Sequence, residues 1–188
     1  ELWHGPTCAF KDMALQLFPH LTSTAMNKKS VNAEIVILVA TSGDTGKAAL
    51  EGFKNVDGTH IVVFYPQDGV SLIQELQMTT QEGKNVHVLG IEGNFDDAQT
   101  GVKDIFTDIK FNKAMQKSGY KLSSANSINW GRLVPQVIYY VSAYLDMVEA
   151  KTLSLGETFD VVVPTGNFGN ILAAYYAKQM GITIDMLI

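Results

Sequence analysis

Cysteine is nearly absent. Cys8 is the only one in 188 residues, so no internal disulfide can form, and the chain suits a reducing compartment such as the cytosol. Positive charge is also scarce. Fourteen basic residues face 19 acidic ones, for a net charge of -5, and Lys28-Lys29 is the only adjacent basic pair. This balance argues against a nucleic-acid or anionic-membrane surface as partner. No apolar run approaches the roughly 20 residues that span a bilayer. The four histidines, His4, His20, His60 and His87, stand at no metal-ligand spacing, so no metal is expected. There is no secretory pattern, repeat or low-complexity tract. An initiating methionine is missing, and the last residues, 182–188, alternate like an unfinished strand, so the chain reads as a piece of a longer protein, truncated at both ends.

What is present is apolar content, 46% of residues, which excludes disorder and fills one large domain or two small ones. Buried-strand runs alternate with helical patterns. Strands are predicted over 35–40, 60–65 (stopped by Pro66), 85–91 and 120–123, with helices over 13–21, 45–54, 71–80 and 94–109 between them. Ser71 and Gln74 fit a capping box. A second unit begins near Asn126, with a long helix over 131–151, a strand over 158–164, a helix over 171–180 ended by Gly181, and the final strand. This alternation predicts an α/β protein with doubly wound, mostly parallel sheets.

Four segments carry polar residues at the joints of this pattern. In His4-Gly5-Pro6-Thr7-Cys8-Ala9-Phe10-Lys11-Asp12, a rigid turn presents one lysine at a helix start, a placement suited to an amine that forms an imine with a carbonyl. Thr41-Ser42-Gly43-Asp44-Thr45-Gly46 joins a buried strand to a helix. Free N–H groups and the hydroxyls of Ser42 and Thr45 there suit a carboxylate or phosphate. The same residues also make a plain helix cap, with Asp44 or Thr45 as its polar side chain. A P-loop is excluded, because Thr41 stands where its first glycine is needed and Ala48 follows Lys47. Pro164-Thr165-Gly166-Asn167-Phe168-Gly169-Asn170 repeats the strand–loop–helix setting and suits a phosphate monoester. It lacks the dinucleotide fingerprint, although Asp185 stands about where a ribose-binding acid belongs. Before the long helix, Ser124-Ala125-Asn126-Ser127-Ile128-Asn129-Trp130-Gly131-Arg132 offers either an arginine clamp for an anion or a hinge, with Ser127 or Asn129 as N-cap and Arg132 solvated. A reactive lysine, a phosphate cradle and a second anion loop together are what pyridoxal phosphate and an amino-acid substrate require.

These four motifs resemble threonine synthase in its microbial branch, over essentially the whole chain. The resemblance implies a two-domain, tryptophan-synthase-β-like fold of type II, with residues 1–25 and 126–188 in the larger cofactor domain and 26–125 forming a small mobile domain. It implies pyridoxal 5'-phosphate as cofactor and O-phosphohomoserine plus water as substrates, giving threonine and phosphate by γ-elimination and β-addition in a cytoplasmic biosynthetic enzyme. Lys11 corresponds to the aldimine lysine. Gly166, Asn167, Phe168, Gly169 and Asn170 correspond to the cofactor-phosphate cradle. Ser42, Gly43, Asp44 and Thr45 correspond to the substrate-anion loop, with Asn126, Asn129 and Arg132 as further substrate contacts. Cys8 departs from the aliphatic residue usual in the family, and Asn170 from an aspartate. The family's partner for the pyridine nitrogen lies C-terminal of this chain, so the piece alone is expected to be inactive. The alternatives are another pyridoxal-phosphate lyase of the same fold, a dehydratase or phospholyase, and a folded piece without catalysis.

Overall fold

The computed structural model describes residues 1–126, 129–164 and 166–188. They fall into two compact units, Glu1–Asn126 and Ser127–Ile188.

The first unit is built on a four-stranded sheet in the order β3-β2-β1-β4, with every neighbouring pair parallel. The strands are β1 (Glu34–Ala40), β2 (Thr59–Pro66), β3 (Val86–Ile91) and β4 (Tyr120–Ser124). The helices are α1 (Asp12–Lys28), α2 (Asp44–Phe53), α3 (Leu72–Thr79), α4 (Phe95–Thr107) and α5 (Ile109–Lys117). β1 lies at the centre and its side chains alternate between two cores. Ile37 and Val39, with Ile61 and Val63 of β2, pack on Leu15 and Phe18 of α1, Leu50 and Phe53 of α2, and Met78 of α3. Val36, Leu38 and Ala40 pack on Ala98 and Val102 of α4. Burial on both faces explains why β1 is a continuous apolar run rather than an alternating one.

α1 runs past the predicted 13–21 to Lys28 and crosses α2 closely at Gly52. A Cβ on Gly52 would stand 2.0 Å from the Leu15 carbonyl oxygen. Helix propensity alone makes Gly52→Ala stabilising by about 1 kcal/mol. The backbone clash reverses the sign, and the substitution is expected to cost about 1–3 kcal/mol. Urea unfolding midpoints decide between the two, and an unchanged or raised midpoint contradicts the close crossing.

The structure revises several boundaries. Pro66 does not stop β2 short of itself. It is the last residue of the strand, paired in register with Ile91, where a missing N–H costs least. The helix predicted over 94–109 ends at Thr107, and an unforeseen α5 follows. Asp108 separates them, its carboxylate accepting from the N–H groups of Lys110 and Phe111. Ser71 accepts from the Gln74 N–H at 3.3 Å, but the side-chain return of the capping box is replaced by a bond from the Ser71 hydroxyl to Gln74 Oε1.

The second unit holds α6 (Trp130–Leu133), a 3-10 turn (Val134–Gln136), α7 (Val137–Glu149), β5 (Phe159–Val161), α8 (Gly169–Gln179) and β6 (Ile184–Leu187). The long helix predicted over 131–151 is thus interrupted at Pro135, which has no N–H to continue the ladder. β5 and β6 pair in parallel, with α8 as the crossover. β5 covers only three residues of the predicted 158–164, and its register with β6 shifts between Phe159 and Val161. There the Asp160 carboxylate accepts from the Met186 N–H at 2.9 Å. The core sets Leu133, Val137 and Tyr140 against Ala173, Ala174 and Ala177 of α8. No described helix of the chain is long and apolar enough to cross a membrane.

Candidate functional site

The lysine turn is held by Asp12. The Cys8 N–H closes a turn onto the Gly5 carbonyl at 3.1 Å. The buried Asp12 carboxylate accepts from the Thr7 N–H at 2.9 Å, from the Thr7 hydroxyl, and from the Ala9 N–H at 3.3 Å. It stands in the first turn of α1, where the helix dipole favours negative charge. Gly5 leaves room for it, since a Cβ there would stand 2.3 Å from Asp12 Oδ2. Cys8 is exposed and takes the left-handed backbone, φ 56°. No motif in the sequence assigns Asp12 this role. Its signal was an acid at the first helical position, five residues after a threonine in a Gly-Pro turn.

Lys11 immediately precedes α1, with only 14% of its side chain exposed. Its Nζ donates to Asp44 Oδ2 at 2.5 Å and lies 4.5 Å from the Phe10 ring centroid. Two motifs 33 residues apart therefore meet at the N-terminal ends of α1 and α2.

The loop after β1 owes its form to Thr41. This buried hydroxyl accepts from the N–H groups of Gly43 and Gly46 at 3.1 and 2.9 Å, and donates to the Gly43 carbonyl at 3.1 Å. The predicted cap by Asp44 or Thr45 is therefore corrected, because Thr41 reaches in from the strand end and leaves those two side chains at the tip. Gly43 is required, as φ is 154° and a Cβ would stand 2.4 Å from the Gln74 amide. The N–H groups of Asp44 and Thr45 have no intrahelical acceptor by position. Ser42 and Asp44 are exposed, and Thr45 is half-buried. The setting is the carboxyl end of β1, with β2 on one side and β4, reached by a later crossover, on the other. This reversal of strand order is where open α/β sheets bind ligands. Asn126 sits just past the end of β4 in the same unit, its N–H donating to Ser124 Oγ at 3.1 Å.

In the second unit Asn129 caps α6, its Oδ1 accepting from the Gly131 N–H at 2.9 Å. The solvated placement considered for Arg132 is corrected, since Arg132 is 6% exposed. Its carbonyl accepts from Gln136 Nε2 at 3.0 Å. Gln136 Oε1 in turn accepts from Asn170 Nδ2 at 3.0 Å, and Asn170 Oδ1 accepts from the Tyr140 hydroxyl at 2.6 Å. This chain fixes the start of α8 on α6 and α7 and occupies the Asn170 side chain, leaving its backbone N–H at the helix entrance. Gly166, Asn167 and Phe168 are exposed, Gly169 opens α8, and Phe168 is left-handed at φ 57°. A Cβ on Gly166 would meet nothing within 4 Å. The turn thus presents open backbone and the first N–H groups of an 11-residue helix, a donor set that fits a phosphate monoester. Ser127, Ile128 and Thr165, quoted in the motifs, lie outside the described residues. Asp185 is exposed on β6.

Burial pushes the Tyr140 hydroxyl up to about 12. Its folded value lies above the unfolded one, so its contribution is full below about pH 10 and is lost as pH rises towards 12. Tyr140→Phe is expected to flatten the loss of stability between those values, as read by denaturant midpoints across pH. An unchanged alkaline slope contradicts the burial.

The model of a family described as pyridoxal-phosphate dependent enzymes matches residues 1–186. A Homo sapiens protein named "Threonine synthase-like 1" is 48% identical over all of this chain and 26% of its own length. Threonine synthase of Pseudomonas aeruginosa is 46% identical, over all of this chain and 38% of its own. Among solved structures, a pyridoxal-phosphate-bound threonine synthase from Brucella melitensis superposes with a TM-score of 0.83 at 45% identity, covering all of this chain and 38% of that one. The chain thus spans between a quarter and two fifths of the length of these relatives, and it shares their fold.

Proposed function

The chain belongs to the pyridoxal-phosphate dependent enzymes, and on that premise we propose that it is the catalytic-lysine portion of a threonine synthase. The observation that carries this is Lys11. It is held by the Asp12 turn at the sheet's switch point, with Nζ 2.5 Å from the loop that follows β1. In this reading Lys11 binds the cofactor, and the backbone of Gly166, Asn167, Phe168, Gly169 and Asn170 receives its phosphate. When bound, pyridoxal phosphate supplies an aldehyde for the amine and a sink for the electrons released at the substrate's Cα. The N–H groups of Gly43, Asp44 and Thr45 and the hydroxyls of Ser42 and Thr45 orient the substrate's anionic groups. Asn126, Asn129 and Arg132 are proposed as further substrate contacts. Lys11 would take and return protons at Cα and Cβ. Phosphate leaves Cγ of O-phosphohomoserine, water adds its hydroxyl to Cβ, and a proton ends on Cγ. Closure of a mobile domain over the substrate would exclude water before the addition step. A cytoplasmic location belongs to the same reading.

A second reading is favoured by the name "Threonine synthase-like 1" among the relatives. The scaffold would then serve another lyase, either a dehydratase or a phospholyase. The full-length protein, incubated with pyridoxal phosphate and O-phosphohomoserine, is expected to release phosphate and threonine in equal amounts. Phosphate without threonine identifies a phospholyase, and turnover of serine or threonine alone identifies a dehydratase.

A further inference from the structure

A carboxylate stands in the loop that the proposed function gives to the substrate's anions. Asp44 lies at the tip of that loop, 54% exposed, where it opposes an incoming carboxylate or phosphate. It does not cap α2, because Thr41 satisfies the Gly43 and Gly46 N–H groups. Among the described residues the hydrogen-bond partner of its carboxylate is Lys11 Nζ, at 2.5 Å. The Phe10 ring lies on the same ammonium at 4.5 Å, a contact that also prefers the cation. Asp12, the other nearby acid, is turned to Thr7 and Ala9. Lys47 on α2 is engaged by Glu51 and Gln81.

We propose that Asp44 is a latch on Lys11. In the cofactor-free protein it holds the amine as an ion-paired ammonium and orients it, and the contact must open before Lys11 can react. An ammonium donating to a carboxylate has no lone pair for a carbonyl carbon. Bond formation therefore requires the proton to leave and the Nζ–Oδ2 contact to break. The latch slows reaction of Lys11 with any electrophile, and its carboxylate is cancelled by a positive charge until the cofactor claims the amine. Asp44 is thus a positioning residue, and the proposal rests on Lys11 being the cofactor lysine.

The test uses the full-length protein without cofactor, trace-labelled by an acetylating N-hydroxysuccinimide ester. Peptide mass spectrometry reads the rate at each lysine, with Lys47 as internal control. Asp44→Asn is expected to raise the Lys11 rate severalfold, since the charge-assisted contact that occupies Nζ is lost, Asp44→Glu to stay near wild type, and Lys47 to be unchanged. Asp44→Ala should raise the Lys11 rate in the same direction, which decides the matter even if Asp44→Asn folds poorly. Equal Lys11 rates in wild type and in the folded variants that lack the carboxylate overturn the latch. Borohydride trapping of added pyridoxal phosphate separates the two levels. Trapping on Lys11 without an acetylation difference overturns the latch alone. Trapping on a different lysine, with the acetylation difference intact, overturns the proposed function and leaves the ion pair standing.

Discussion

Replacing Lys11 by alanine in the full-length protein is expected to abolish covalent attachment of pyridoxal phosphate and to lower turnover of O-phosphohomoserine at least a thousandfold. The size follows from two losses that share one atom. In the proposed reaction Nζ is both the nucleophile toward the cofactor and the base that carries protons, a role that alone contributes about 10²–10⁴. The fold should survive. Lys11 precedes the first turn of α1, its carbonyl still accepts from Leu15, and the Asp12 turn does not use its side chain. Losing one partly exposed ion pair costs about 1 kcal/mol or less. Normal turnover in Lys11→Ala, measured by phosphate release, would remove this lysine from the chemistry altogether.

Thr41→Val is expected to cost about 2–4 kcal/mol of stability and to disorder the loop it organises. The substitution is nearly isosteric, so packing against Gly46 is retained while the hydroxyl is lost. Two N–H groups, those of Gly43 and Gly46, then lose the acceptor that holds them, each at a cost of about 1–3 kcal/mol, partly recovered by the remaining Gly46 bond to the Gly43 carbonyl. Urea unfolding reads the stability. Inorganic phosphate or substrate affinity reads the loop, and it should weaken in parallel. A stability loss under about 0.5 kcal/mol would mean that Thr41 is not the cap that it is taken to be.

The parallel α/β architecture was legible because burial leaves a strong mark on composition. A strand covered on both faces must be apolar throughout, as 35–40 is, and the amphipathic stripe of α4 could face only one core. Boundaries set by a single polar group were less legible. Asp108 ends one helix and starts another with the same carboxylate, and no periodicity reports that. Pro135, inside the helix predicted over 131–151, produced a 3-10 turn. At the site, the candidate residues were legible as residue types at strand–helix joints, and Lys11 and Asp44 do meet. The residues that hold them were not. Asp12 and Thr41 act through local hydrogen bonds to backbone N–H groups, backward from Asp12 and forward from Thr41, and hydrophobic periodicity does not report them. Asn170 illustrates the converse, because its side chain serves the Gln136–Tyr140 network rather than the turn in front of it.

The central claim is that one cofactor is bound covalently by Lys11 while its phosphate rests on the turn at 166–170. A crystal structure of the full-length protein with pyridoxal phosphate tests this most directly. The expected result is continuous density from Lys11 Nζ to the pyridine ring, and phosphate oxygens within hydrogen-bonding distance of the N–H groups at the start of α8. Density joining the cofactor to another lysine, or its phosphate bound away from that helix entrance, would contradict it.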